Sequence, residues 1–265
     1  LKLLKEDIGD KYDWRSVFNK IDQTSEYKQV EGGSGHINGL RVSVTEKHVR
    51  VTGSLSKYFR GTNLDSLTLS QVEKAIKQLG KELGVPMIEA DVERVDMAEN
   101  FEMSRPPEFY ISKMQSLGEC CPNKWKGTTY FPSNGVLLRF YDKSKEVRKK
   151  RKNQKNTPGA FSTSVEQNLL RYEICFGKKA IRRMFGHQLK AKDLYDKDIF
   201  WRLVSEWLYS YDEIGIISDK LFDVSFEQIK TLSDFEEWCI AIAHSVVGLK
   251  TVRILSMDRN TPRLD

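Results

Sequence analysis

Three short apolar segments of this chain carry tyrosine, arginine and carboxylate on one side, a set of side chains suited to phosphodiester chemistry. In VLLRFYDK, alternation sets Leu137, Arg139 and Tyr141 against Val136, Leu138 and Phe140. In LLRYEICFG, Arg171, Glu173 and Cys175 oppose Leu170, Tyr172 and Ile174; in VERVDMAEN, Arg94 and Asp96 oppose Glu93, Val95, Met97 and Glu99. A phenol is a weak nucleophile because its pKa is about 10. A divalent cation on Asp96 and Glu173, with Arg139, Lys143 or Lys145 nearby, would favour the Tyr141 phenolate and offset charge on the phosphate it attacks. The plainer alternative is an amphipathic sheet whose polar face meets water.

Directly after this tyrosine, RKKRKNQK (residues 148–155) holds six cations in eight positions and no acid. Composition alone makes it a solvated surface loop; beside a phosphate-cutting residue it becomes a clamp for a DNA strand. Arg148, Lys149, Lys150, Arg151 and Lys152 are the candidate contacts. Over the whole chain, 43 Lys and Arg against 37 Asp and Glu give a net charge of +6, a mild preference for a polyanionic partner. The four cysteines (Cys120, Cys121, Cys175, Cys239) form no CxxC pair, which suits a reducing cytoplasm. His36, His48, His187 and His244 are scattered, so zinc is not expected and a metal would be Mg²⁺ or Mn²⁺ on carboxylates. No apolar run of about 20 residues is present to span a membrane. The chain begins at Leu1 without Met, as expected of a fragment.

The elements that must position these residues alternate in period. Residues 40–55 read as a hairpin turning at TEKH. A helix follows, with Leu69, Val72, Ile76, Leu79 and Leu83 at helical spacing, a Ser70/Glu73 capping box and Gly84 at its end. Strands are expected at 88–99, 135–142 and 168–176. Helices are expected at 198–214, with Phe200, Leu203, Trp207 and Leu208 on one face, and at 233–248, with a Ser233/Glu236 box. Trp201, Trp207 and Trp238 are assigned to packing, and EGGSG (31–35) to a surface loop. Together these predict an α+β fold: a central antiparallel sheet packed by helices over residues 1–180, then a helical C-terminal extension over 181–265 packed on it. Among the other tyrosines, Tyr130 in GTTYFPSNG is the second candidate nucleophile. Tyr172 points to the apolar side, and Tyr195, Tyr209 and Tyr211 belong to packing or surface.

The blocks VTGSLSKYFRGTNLDSLTLSQVEKAIKQL, RVDMAEN, LLRFYDKSKE and LLRYEI, spread over residues 37–185, resemble the gene II replication initiators of filamentous phages and their phage and plasmid relatives. The YDKxxE and RxE blocks are also similar to those of staphylococcal-type rolling-circle plasmid initiators. The resemblance implies a ferredoxin-like initiator core and a metal-dependent nickase of the bacterial cytoplasm. Such an enzyme cuts one strand at the replication origin, stays on the 5′ phosphate through tyrosine, leaves a 3′ hydroxyl and later rejoins the displaced circle. It places the nucleophile at Tyr141, the metal ligands at Asp96 and Glu173, the RxE arginine at Arg171 and DNA contacts at Lys57, Arg60 and Asn63. Implied partners are single-stranded or supercoiled origin DNA, host helicase and polymerase, and transiently a second copy. The chain lacks the paired histidines of the better-known relaxases, so carboxylate ligation is expected instead. Two other classes fit the same residues: a non-catalytic DNA-binding regulator, and a mobilisation relaxase of conjugative transfer.

Overall fold

The computed structural model describes residues 1–9, 12–23, 32–118, 120–153, 168–216 and 231, with the backbone alone at 150–153. The elements are β1 (Lys2–Leu4), α1 (Lys5–Ile8), α2 (Trp14–Phe18), β2 (Asp22–Gln23), β3 (Gly32–Ile37), β4 (Leu40–Thr45), β5 (His48–Thr52), α3 (Leu55–Arg60) and α4 (Leu69–Leu83). They continue as β6 (Arg94–Met103), α5 (Pro107–Ser112), β7 (Met114–Leu117), β8 (Asn123–Trp125), β9 (Thr128–Ser133), β10 (Val136–Asp142), α6 (Lys143–Asn153), β11 (Asn168–Gly177), α7 (Lys178–Phe185), α8 (Lys197–Asp212) and β12 (Ile214–Ile216). The fold is α+β, as the alternation of periods predicts. Two compact units divide the chain: Leu1–Glu99 with Asn134–Val136 and Ile174–Trp207, and Asn100–Ser133 with Leu137–Glu173 and Leu208–Asp265. Among the described residues, no helix is long and apolar enough to cross a membrane.

The first unit is built on an antiparallel sheet of order β1-β5-β4-β3-β2. Leu40, Val42 and Val44 of β4 and Val49 and Val51 of β5 are buried, and α4 buries Ala75, Ile76, Leu79 and Leu83 in the same core. Each of these valine, leucine and isoleucine side chains contributes about 1.5–3 kcal/mol by leaving water. The capping box of α4 lies two residues earlier than expected. Thr68 accepts from the Gln71 N–H at 3.4 Å and Gln71 Oε1 from the Thr68 N–H at 3.0 Å, while Glu73 pairs with Lys77 a turn on at 2.6 Å. Gly84, in the left-handed region at φ 71°, ends the helix as predicted.

Two expectations fail here for identifiable reasons. The GGSG of EGGSG is no surface loop: Gly32–Ile37 is β3, between β2 and β4, and Glu31 lies outside the described residues. A Cβ on Gly33 would fall inside the Phe18 ring, and one on Gly35 inside the Asp22 carbonyl, so these glycines serve close approach within a sheet. Likewise the 88–99 strand is a 3-10 turn at Met87–Glu89 followed by β6 from Arg94. The Asp91 backbone is taken by Lys2, with N–H to O distances of 2.7 and 2.8 Å, and the ladder of β6 starts only beyond it.

The second sheet has the order β6-β11-β10-β9-β8. Its strands at 136–142 and 168–177 are the expected ones. Two-residue turns at Lys126-Gly127 and Asn134-Gly135 join its hairpins, all four residues having positive φ. Phe140 stacks on Tyr172 at 4.6 Å with an interplanar angle of 1°, and the Phe131 ring stands edge-on to Phe140 at 6.3 Å. This is the apolar side expected for Phe140 and Tyr172. The other side of β11 departs from the expected pattern, because Glu173 and Cys175 are buried as well, at 8 % and 7 % exposure.

The basic run is also no loop, since α6 continues through Asn153. Asp142 caps the helix by accepting from the Lys145 N–H at 2.8 Å, and lysine and arginine are good helix formers. Gln154 and Lys155 lie outside the described residues, as does the expected 233–248 helix. In α8 the buried positions are Leu203 and Ser210; Trp201 and Leu208, expected to pack, are 54 % and 51 % exposed. A seam repeating every seven residues leaves Leu208 off its line. Tyr209 and Tyr211 are surface residues, and Tyr195 packs against the first unit's core.

Candidate active site

Within the second unit, one carboxylate gathers a phenol and two guanidiniums. Arg139 and Tyr141 project from the same side of β10, and Arg171 and Glu173 from one side of β11. Arg139 Nη2 pairs with Glu173 Oε1, the Tyr141 hydroxyl donates to Glu173 Oε2 in a long contact of 3.4 Å, and Arg171 Nε lies 3.5 Å from the same oxygen. Arg171 is fixed in turn by donating to Asn100 Oδ1 at 3.1 Å. The RxE block is thus a pair two residues apart on one strand face, and Arg171 belongs to the cluster although sequence reasoning gave it no chemical role. The spacing itself was the available signal.

Burial pushes the Tyr141 phenol above its ordinary pKa, the Glu173 charge adds to this, and the Arg171 and Arg139 guanidiniums pull the other way. Tyr141 therefore holds its proton more firmly than an ordinary phenol. Lys143 is 1 % exposed, pairs with Glu146 at 2.7 Å and lies 5.9 Å from the centre of the Tyr141 ring. Lys145, expected beside the phenol, pairs with Glu108 on α5 and stands 3.9 Å from Asp142. Ser144 accepts from the Leu169 N–H at 2.9 Å, tying the start of α6 to β11.

The other expected residues are placed as follows. Asp96 belongs to the first unit, where Arg94 grips it through two bonds of 2.6 and 2.7 Å. Carboxylate oxygens are the hard donors that Mg²⁺ or Mn²⁺ takes, and both Asp96 and Glu173 would have to exchange a guanidinium for the cation. Among the described residues, no group of three or more His, Cys, Asp and Glu side chains gathers as a metal site. Lys57, Arg60 and Asn63, on and just after α3, lie in the first unit, with Arg60 donating to Gln71 Oε1 at 2.5 Å. Lys57 and Arg60 lie on a helix capped by Ser54 and ended by Gly61, with Asn63 just beyond it. Arg148 and Lys149 are exposed on α6; Lys150, Arg151 and Lys152 continue the helix. Tyr130, the second candidate nucleophile, lines a shallow depression with Asn123, Trp125, Pro132 and Leu137, a setting that sequence reasoning missed because nothing local marks Trp125 as exposed.

The family described as the N-terminal part of the replication-associated gene II protein matches residues 12–207, which include every residue of this cluster. No curated protein and no solved structure matches the chain. The matched span is well over half of the sequence, and the chain belongs to the gene II-type family of replication initiators.

Proposed function

We propose that this initiator nicks and rejoins one DNA strand at a replication origin through a 5′-phosphotyrosine on Tyr141. The observation that carries this is the Tyr141–Glu173–Arg139–Arg171 cluster, which sets a half-buried phenol beside a carboxylate and two guanidiniums suited to a phosphate. The Tyr141 oxygen bonds to phosphorus, the bond from phosphorus to the 3′ oxygen breaks, and that oxygen leaves as a hydroxyl after taking a proton. Glu173, faced by the Tyr141 hydroxyl at 3.4 Å, is the proposed acceptor of the phenolic proton and its donor to the departing 3′ oxygen. An incoming phosphodiester competes with Glu173 for Arg139 and Arg171, whose guanidiniums would neutralise charge on the substrate. Asp96 in the first unit and Glu173 in the second are each proposed as a carboxylate ligand for Mg²⁺ or Mn²⁺, which would supply Lewis-acid stabilisation of a phosphate. Arg148 to Lys152, and Lys57, Arg60 and Asn63, are the proposed contacts to the strand. The nicking chemistry is assigned to residues 1–180, with DNA binding, dimerisation and helicase recruitment as the roles open to 181–265.

The test is adduct formation on a denaturing gel, using single-stranded DNA from the protein's own replicon with Mn²⁺ or EDTA. A Mn²⁺-dependent adduct lost in Tyr141→Phe and weakened in Glu173→Gln is expected. An adduct that survives Tyr141→Phe would move the nucleophile to Tyr130. DNA binding indifferent to metal, with no adduct, would make the chain a regulator.

A further inference from the structure

Trp125 ends β8 with 60 % of its surface exposed, and it borders the depression of about 540 Å³ lined by Asn123, Tyr130, Pro132 and Leu137. Small organic groups occupy pockets of about 300–1,000 Å³. The register pairs Asn123 with Tyr130 and Trp125 with Thr128, so Asn123, Trp125 and Tyr130 rise from one face of the sheet. Leu137, on the depression's other side, shares its side of β10 with Arg139 and Tyr141. The surface therefore runs along a single strand to the tyrosine, four residues and about 13 Å away. Cations frame it: Lys126 Nζ lies 4.4 Å over the Trp125 ring, and Arg139 stands between Leu137 and Tyr141. Rings for bases and cations for phosphates are what a single nucleic-acid strand requires, whereas an apolar protein partner has no use for the cations.

We infer that the Trp125–Tyr130–Leu137 depression takes an unpaired base of the DNA strand, stacked on Trp125 and a few nucleotides from the phosphate presented to Tyr141. This rests on the function proposed above and adds to it a subsite that holds the strand by a base rather than by its backbone.

The test measures binding of fluorescein-labelled oligo(dT), and of an abasic strand of equal length, to Tyr141→Phe protein in EDTA, where no cleavage intervenes. Trp125→Ala is expected to weaken oligo(dT) binding about tenfold, the scale of one lost stacking contact. Trp125→Phe should restore most of it, and the slope of affinity against salt should not change, because no phosphate contact is removed. Unchanged binding in Trp125→Ala would overturn the inference, as would an equal loss on the abasic strand or a loss that Trp125→Phe does not rescue. The two proposals fail separately. Adduct formation by the native tyrosine with Trp125-independent binding removes the depression alone; Trp125-dependent binding without any adduct removes the nicking chemistry and leaves the stacking site.

Discussion

In the first unit Arg50 meets Glu93 at 3.1 Å with 43 % and 26 % of the two side chains exposed; in the second, Glu173 is 10 % exposed between Arg139 at 24 % and Arg171 at 11 %. Both sheets have five strands, and both bury a continuous apolar face. The first keeps its ion pair near water, where the pair adds little to stability and costs little desolvation. The second holds its ions inside, where desolvation costs several kcal/mol per ion and is offset only while every partner is in place. The chemistry proposed for Tyr141 would account for that difference, because an attacking phenol needs a nearby acceptor and a nearby phosphate-binding cation.

The sharpest way to break this contrast is to remove one anion from each unit. Glu173→Ala should cost about 3–5 kcal/mol by leaving two guanidiniums without their buried partner, against less than about 1 kcal/mol for Glu93→Ala. Equal shifts of the urea midpoint in the two variants would end the distinction.

A second comparison sets glycine in the first sheet against its reputation as a loop residue. Gly33→Ala should destabilise by about 1–3 kcal/mol through collision with Phe18, and Phe18→Leu in the same chain should return part of that loss. Additive losses in the double variant would show that the ring is not the obstacle.

Smaller again is the start of α4, where Thr68→Ala should cost about 1 kcal/mol and Ser70→Ala less than about 0.5 kcal/mol. The reverse order would return the cap to the later box.

The smallest expected effect is alkaline and touches both units. Burial pushes the Tyr12 phenol up to about 12, and Tyr141 is shifted the same way. A phenol whose folded pKa is raised keeps its proton after the unfolded chain has lost its own. Its contribution is therefore whole below pH 10 and is lost as pH rises from there through about 12. Urea midpoints measured at about pH 9 and about pH 11.5, on either side of the ordinary phenol pKa, should fall less in Tyr12→Phe than in the unaltered chain.

Much of this was open to inspection in the residues. The strand carrying Tyr141, the strand carrying Glu173 and the helix ended by Gly84 each repeat a single period long enough to identify them, and the apolar side of Phe140 and of Tyr172 follows from parity. What was hidden depended on neighbours distant in the chain. Gly33 is a strand residue because of Phe18, and Glu173 is buried because both faces of β11 are covered at its end. Thr68 and Ser70 each head a box of the right composition, and only the observed bonds choose between them. Lys145 was expected to serve the phenol, but Glu108, 37 positions earlier, claims it. Trp125 was passed over because exposure is not a property of a side chain alone.

No linker residue separates Asp142, the last of β10, from Lys143, the first of α6. The tyrosine and the basic helix are thus geared together: the direction in which Arg148 and Lys149 face is set by the strand that carries Tyr141. One residue inserted at this joint would turn the helix by about 100° and advance it by about 1.5 Å, swinging its cations out of phase with the phenol while sparing every residue of the cluster. The corner between Asp142 and Lys143 therefore fixes, by residue count alone, the phase of these cations relative to the phenol.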